Sequence, residues 1–299
     1  ERIKFRAVNI SALFYYAESD TFLRYFTIKA LVNVRLFYER TESKGGRKDS
    51  MNSFIKWVGG KRLLRNQILG EFPTDFSCYV EVFGGAAWLL FAREKLAPME
   101  VYNDINHDLV NLFRCVKYHG KALQEELGWS LVSREMFQES LAGYQSSGLT
   151  DIQRAARFFV VVKCSFGAKM EDFSGSRVSL ANTVDSLEKF QNRLRNTIIE
   201  QLDFERLVKR YDRTGTLFYA DPPYYQAEGY YGGGFKEADH IRLQKTLEGI
   251  KGKFVLTYND CPFIRELYKD CPLTTLERQS NITSISTEKT YREILIKNF

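Results

Sequence analysis

Histidine is scarce in this 299-residue chain: His107, His119 and His240 stand far apart and form no ligand set. The five cysteines, Cys78, Cys115, Cys164, Cys261 and Cys271, lack the paired spacing that a zinc or iron–sulfur site needs. No metal is therefore expected, and the cysteines read as reduced thiols of a cytoplasmic protein. No apolar run is long enough to cross a bilayer, nothing reads as a secretory signal, and no repeat or low-complexity tract is present. Methionine is missing before Met51.

What is present is enough apolar material, 44% of residues, for one large α/β domain with an insert. Net charge is +6, with a pI near 8.9. Such an excess favours a polyanionic partner, although many proteins that touch no nucleic acid share it.

The most informative segment is Asp221-Pro222-Pro223-Tyr224. An exocyclic amine on a nucleobase is a poor nucleophile, because its lone pair is delocalised into the ring. To attack a methyl donor it must be held by acceptors that favour the tetrahedral form. The Asp221 carboxylate and the Pro222 carbonyl supply two such acceptors, and consecutive prolines keep that carbonyl out of a strand ladder. Tyr224 offers a face for a base swung out of a duplex. Thr216-Leu217-Phe218-Tyr219-Ala220 reads as a buried strand, which puts the tetrapeptide at a strand's carboxyl end, where open α/β sheets bind ligands. In isolation Asp-Pro-Pro also fits a plain turn.

Three further segments precede it: Lys56-Trp57-Val58-Gly59-Gly60-Lys61, then Tyr79-Val80-Glu81-Val82-Phe83-Gly84-Gly85-Ala86-Ala87, then Val101-Tyr102-Asn103-Asp104-Ile105-Asn106. The second reads as a strand, a glycine turn and an apolar helix from Trp88 to Ala92. The third is a short strand ending in an acid, roughly 20 residues after the glycines, as in nucleotide-binding βαβ units. Taken singly, a Gly-Gly pair is more often a tight turn, and an acid after a strand a cap.

Together the four segments resemble the Dam-like DNA adenine N6-methyltransferases, from about Met51 to the end. The resemblance includes Phe254 to Asp260 and the closing Glu293-Ile294-Leu295-Ile296-Lys297-Asn298. It implies a Rossmann-like α/β sheet with a helical target-recognition insert, S-adenosylmethionine as cofactor, duplex DNA as partner, and base flipping. Trp57, Lys61, Glu81, Phe83, Gly85, Asp104 and Asp221 match cofactor-binding positions, Asp104 at the ribose and Asp221 at the target amine and the cofactor's methionine end. Asp221, Pro222 and Tyr224 match the catalytic ones. The resemblance also implies a monomer, a phage or prophage member and a companion restriction endonuclease. One departure stands out: the family loop carries a further glycine where this chain has Ala87. If that backbone needs φ above zero, alanine adds about 1 kcal/mol of strain.

Four regions follow: a leader at 1–50, a cofactor half at 51–115, the insert at 116–204, and a catalytic half at 205–299. The leader, rich in Phe, Tyr and Arg, is expected to be extraneous to the enzyme; the alternative is a basic arm that helps hold DNA. Within the insert, the cations around 154–157 and 187–195 mix with apolar positions at helical spacing. The irregular Lys163-Cys164-Ser165-Phe166-Gly167-Ala168-Lys169 and Phe173-Ser174-Gly175-Ser176-Arg177 suit phosphate and groove contacts, with Lys163, Lys169 and Arg177 as DNA-binding candidates. Family members that read GATC carry an Asn-Gly and an Arg-rich run here, which this chain does not match. After the tetrapeptide, Glu228 to Phe235 is a glycine-hinged aromatic loop, either a lid over the flipped base or a loose connection. A helix is predicted over Asp239–Ile250 and a strand over Phe254–Tyr258.

The reading is an adenine N6-methyltransferase. Its rivals are a cytosine N4-methyltransferase, whose tetrapeptide usually begins with Ser, an RNA or glutamine-amide methylase, whose motif usually begins with Asn, and a DNA-binding prophage protein that has lost catalysis.

Overall fold

Strand residues alternate between two cores with a period of two, and that alternation places the functional groups. The computed structural model describes residues 51–130, 132–174, 180–227, 229, 234–278 and 291–299. The leader 1–50, Arg177 and most of the Glu228–Phe235 loop lie outside the described residues. Among the described residues seven strands make one sheet: β1 (Cys78–Glu81), β2 (Met99–Asn103), β3 (Thr197–Glu200), β4 (Thr216–Ala220), β5 (Lys253–Asn259), β6 (Leu273–Arg278) and β7 (Tyr291–Lys297). Their order is β3-β2-β1-β4-β5-β7-β6, all parallel except β7, which runs antiparallel to both neighbours. This is the Rossmann-like α/β sheet anticipated from the motifs. Strand order reverses between β1 and β4, so the crevice beyond their carboxyl ends is the natural ligand site.

Tyr79, Tyr102, Leu217, Tyr219, Val255 and Leu295 face one core. Cys78, Val80, Val101, Phe218, Phe254, Leu256, Ile294 and Ile296 face the other. The first core is covered by α2 (His107–Gly128), α4 (Asp151–Cys164) and α6 (Leu187–Leu194), through Leu109, Phe113, Phe158, Phe159 and Phe190. Before them comes the short α1 (Arg65–Gly70); between them lie α3 (Arg134–Gly143) and α5 (Leu180–Asp185). The second core is covered by α7 (Phe204–Tyr211), α8 (Glu237–Glu248) and α9 (Pro262–Leu267). The insert helices thus share a core with the sheet. β3 belongs to the sheet although it falls inside the span read as insert, because its backbone pairs with β2.

Two expectations change. The apolar helix at Trp88–Ala92 is a single 3₁₀ turn, Leu90–Ala92. Side chains take its backbone groups: Leu90 N–H donates to Glu81 Oε2 (3.3 Å), and Arg193 Nη2 donates to the Leu90 carbonyl (2.6 Å). Arg193, one of the cations around 187–195 in the span read as the insert, has its side chain buried in an ion pair with Glu100 at 2.7 Å. The 216–220 strand forms as expected, and the predicted helix and strand after it appear as α8 and β5 with small shifts at their ends.

Candidate active site

Period-two alternation brings Glu81, Thr257 and Glu293 to the same sheet face as Tyr79, Val255 and Leu295, and Asp221 follows one step beyond the end of β4. A cavity of about 630 Å³ opens at this edge, between the motif segments. Trp57, Lys61, Glu81, Phe83, Gly85, Asp104, Asp221 and Lys169 all line it, as does Pro223; Pro222 is buried behind them. The segments singled out in the sequence therefore converge on one place.

At the amine end, Lys61 Nζ lies 2.7 Å from Asp221 Oδ1 and donates to the Gly59 carbonyl at 2.9 Å. Thr257 Oγ1 donates to the same Oδ1 at 2.8 Å, and the Tyr219 hydroxyl lies 3.2 Å from Thr257 Oγ1. Among the described residues both donors to Asp221 reach Oδ1, and Asp221 lines the cavity. Burial pushes the Asp221 carboxyl up; the Lys61 ammonium pulls it down, and Glu293 pushes it up again. Tyr224 stands beside this pair, with Lys61 Nζ 4.8 Å from its ring centroid.

At the other end, Asp104 accepts from Gly85 N–H at 2.8 Å and from Asn106 N–H at 2.9 Å. Burial raises its carboxyl, and these backbone donors oppose the rise. The glycine turn between the two ends has little freedom. A Cβ on Gly84 would lie 2.2 Å from the Tyr102 ring, and Gly85 has φ +48°. Ala87 adopts φ +54°, so the strain attached to this position is present. Glu81, wholly enclosed, is pushed up to about 8, chiefly by burial; the Leu90 N–H and Tyr79 oppose the rise and Asp221 adds to it.

Several functional positions escaped the motif reading. Asn103 donates to the Val82 and Leu202 carbonyls (2.9 and 3.1 Å) and accepts from Leu202 N–H (2.8 Å), so it fixes the floor of the cavity. Asp203 and Phe204 line the wall, where Arg242 grips Asp203 at 2.8 Å and lies 3.9 Å from the Phe204 ring centroid. Their only sequence signal is an Asp one residue before a helix, which reads as an ordinary cap.

The three DNA-binding candidates separate. Lys169 sits on the cavity rim. Lys163 is half-buried, donates to the Phe54 carbonyl at 3.1 Å, and has its pKa lowered by burial. Arg177 lies outside the described residues. Between them, residues 165–173 form a closed loop: Ser165 pairs with Phe173, Phe166 N–H donates to the Asp172 carbonyl (2.8 Å), and Ser174 N–H to the Cys164 carbonyl (2.7 Å). Gly167 and Met170 take positive φ within it. The loop holds Phe166 out, 70% exposed, while Lys169, Met170 and Glu171 line the cavity. Among the described residues no cluster suited to a metal is found, and no helix is long and apolar enough to cross a membrane.

The family model described as D12 class N6 adenine-specific DNA methyltransferase matches residues 57–285, and the chain belongs to that family. A Type II methyltransferase of Lactococcus lactis subsp. cremoris is 29% identical over 281 residues, covering 84% of this chain and 97% of that protein. Another, of Paramecium bursaria Chlorella virus NC1A, is 24% identical over 262 residues, 83% of this chain and all of that one (100%). A DNA adenine methylase of Haemophilus influenzae is 26% identical over 259 residues, 77% of this chain and 87% of that one. The chain is an adenine-specific DNA methyltransferase, and the cytosine and decayed-protein readings give way to that one.

Proposed function

We propose that S-adenosylmethionine is the methyl donor and that the target adenine is swung out of duplex DNA to meet Asp221. The observation that carries this reading is the pair of half-buried carboxylates lining one cavity, Asp221 tied to Lys61 and Asp104 tied to the glycine turn. A cavity of about 630 Å³ is of a size to hold a cofactor. Its lining carries Asp104, Glu171, Asp203, Asp221 and Asp239 against Lys61, Lys169 and Arg242, an acidic balance that suits a ligand bearing a sulfonium and an ammonium, with Glu81 held protonated by burial. Asp104 would hold the ribose hydroxyls, while Trp57, Phe83 and Gly85 shape the wall. When bound, the cofactor supplies an electrophilic methyl group.

The remaining work falls to the protein. With Oδ1 held by Lys61 and Thr257, Asp221 offers Oδ2 to an amine N–H and localises the nitrogen lone pair. Pro222 is assigned the second acceptor through its carbonyl. No proton need leave first, because the methylated nitrogen is acidic and loses its proton afterwards. Tyr224 stacks on the base, whose extrusion follows from the depth of Asp221 in the crevice. Phe166, held outward by the closed loop, fills the gap left in the stack, and Lys169 on the rim meets the DNA; Lys163 supports the loop from within. The residues assigned to the site all come from one chain, which fits a monomer, and the Type II names of the relatives suggest a companion restriction endonuclease.

Sequencing DNA from cells that express this chain, with detection of modified bases, tests the reading. The expected result is N6-methyladenine at one recurring site, made in vitro with labelled S-adenosylmethionine. Label found on cytosine, or no transfer at all, overturns it.

A further inference from the structure

Glu293 sits in the last strand, in the closing segment of the resemblance but with no role assigned to it there, and far along the chain from Lys61 and Asp221. Its partners in the sheet are Asn259 of β5 and Leu276 of β6. It lies on the same face as Thr257, because residues opposite one another in an antiparallel pair share a face and Leu295 is opposite Thr257. A carboxylate there, only 8% exposed, is out of place for structural reasons alone, since its neighbours along the strand are Ile294, Leu295 and Ile296.

Its partners explain it. The Tyr224 hydroxyl donates to Glu293 Oε2 at 2.5 Å, and Lys61 Nζ lies 3.8 Å from the same oxygen. Lys61 in turn pairs with Asp221 and lies over the Tyr224 ring. Asp221, Lys61, Glu293 and Tyr224 thus form one connected set, drawn from three distant stretches of chain. We infer that Glu293 is a positioning residue for methyl transfer, anchoring the Tyr224 hydroxyl so that the ring presents a fixed face to the extruded adenine.

The physical case is one of preorganisation. A tyrosine held only at Cβ turns about two side-chain bonds; one held also at its hydroxyl has a single orientation. An O–H···O⁻ bond to a buried carboxylate is among the stronger hydrogen bonds available to a phenol. The ordering is then completed in folding and not at the moment of base capture, where a small misplacement lowers the rate. Lys61 close to Oε2 offsets the buried charge.

The inference rests on the adenine methyltransferase reading, and the test separates the two. Wild-type protein is first shown to methylate adenine in a duplex; failure there sinks the reading itself. Single-turnover transfer from labelled cofactor is then measured for Glu293→Ala, Glu293→Gln, Tyr224→Phe and the Ala/Phe double variant, with cofactor affinity from calorimetry. Glu293→Ala and Tyr224→Phe should each slow transfer by about tenfold or more, the worth of one charge-assisted hydrogen bond. The double variant should be no slower than either single one, since both remove the same bond. Glu293→Gln keeps an acceptor for the phenol and should stay within about threefold of wild type. Cofactor affinity should be unchanged in Tyr224→Phe. Losses that multiply, a Gln variant as slow as Ala, or a Tyr224→Phe enzyme at wild-type rate each overturn the inference. Should Glu293→Ala fail to fold, Glu293→Asp, which withdraws the carboxylate by one methylene, takes its place and is expected to be slow; at wild-type rate it overturns the inference equally.

Discussion

Lys61 Nζ and Asp221 Oδ1 meet at 2.7 Å, so the first motif of the chain and its Asp-Pro-Pro-Tyr tetrapeptide are joined by one largely buried ion pair. The ammonium is the strongest influence holding the Asp221 carboxyl down against burial. Asp221 serves the amine only when ionised. Replacing Lys61 by Met, which keeps the stem and removes the charge, should therefore move the acid limb of the rate–pH profile to higher pH. Activity lost near neutrality should partly return as pH rises through the raised pKa. An acid limb that stays in place would separate Lys61 from the amine chemistry.

Asp221→Ala should abolish transfer and leave DNA binding largely intact, because the carboxylate faces the cavity and not the phosphates. Activity within about tenfold of wild type in a single-turnover assay would reduce the tetrapeptide to a turn.

Asp104 orders the glycine turn through Gly85 N–H, and the proposed function adds a second duty, meeting the ribose. Asp104→Ala should weaken cofactor binding by roughly 1.5–3 kcal/mol for each charged bond lost. Calorimetry decides the point, and an unchanged dissociation constant refutes the ribose assignment.

Ala87 at φ +54° is buried, so two terms oppose each other on substitution. Ala87→Gly relieves about 1 kcal/mol of left-handed strain but uncovers a methyl worth about 0.8 kcal/mol. Near-neutral thermal melts are expected. Ala87→Val adds a β-branched side chain in the same conformation and should destabilise by more than about 2 kcal/mol. Equal melting temperatures for the two variants would deny the strain.

Glu81 gives the protein a pH signature. Its carboxyl, ordinarily near 4.5, is raised to about 8 by burial, so the folded state holds a proton that the unfolded chain releases. The contribution to stability is fully present below about 4.5 and is lost as pH rises through about 8. Glu81→Gln stays neutral and keeps an acceptor for Leu90 N–H, so its melting temperature should fall less than that of wild type between these limits. Parallel curves for the two proteins would show that Glu81 is ionised in the folded state.

Much of this protein was legible in one dimension. The buried strand at 216–220, the glycine turn after β1 and the acid after β2 are local patterns, set by φ/ψ preference and period-two burial, and the helices that follow obey capping and 3.6-residue periodicity. Residue types at Lys61, Asp104 and Asp221 carry the chemistry wherever the backbone puts them, and the motif order was enough to gather them in one cavity. What sequence alone left open depends on partners distant along the chain. Trp88 to Ala92 has the composition of a helix, yet Glu81 and Arg193 capture its backbone groups and leave one 3₁₀ turn. Lys163 and Arg193 have the charge of DNA contacts, but their ammonium and guanidinium groups are taken by Phe54 and Glu100. Glu293 has no assigned role in the closing sequence segment until antiparallel pairing with β5 turns it toward Tyr224. Sequence therefore determined the sheet, its ligand edge and the side chains gathered there, because these follow from local backbone preference and side-chain chemistry. Only the tertiary structure decided which charges remain free for ligand and which are neutralised within the protein, because charge pairing is a contact between segments that share no neighbourhood in the chain.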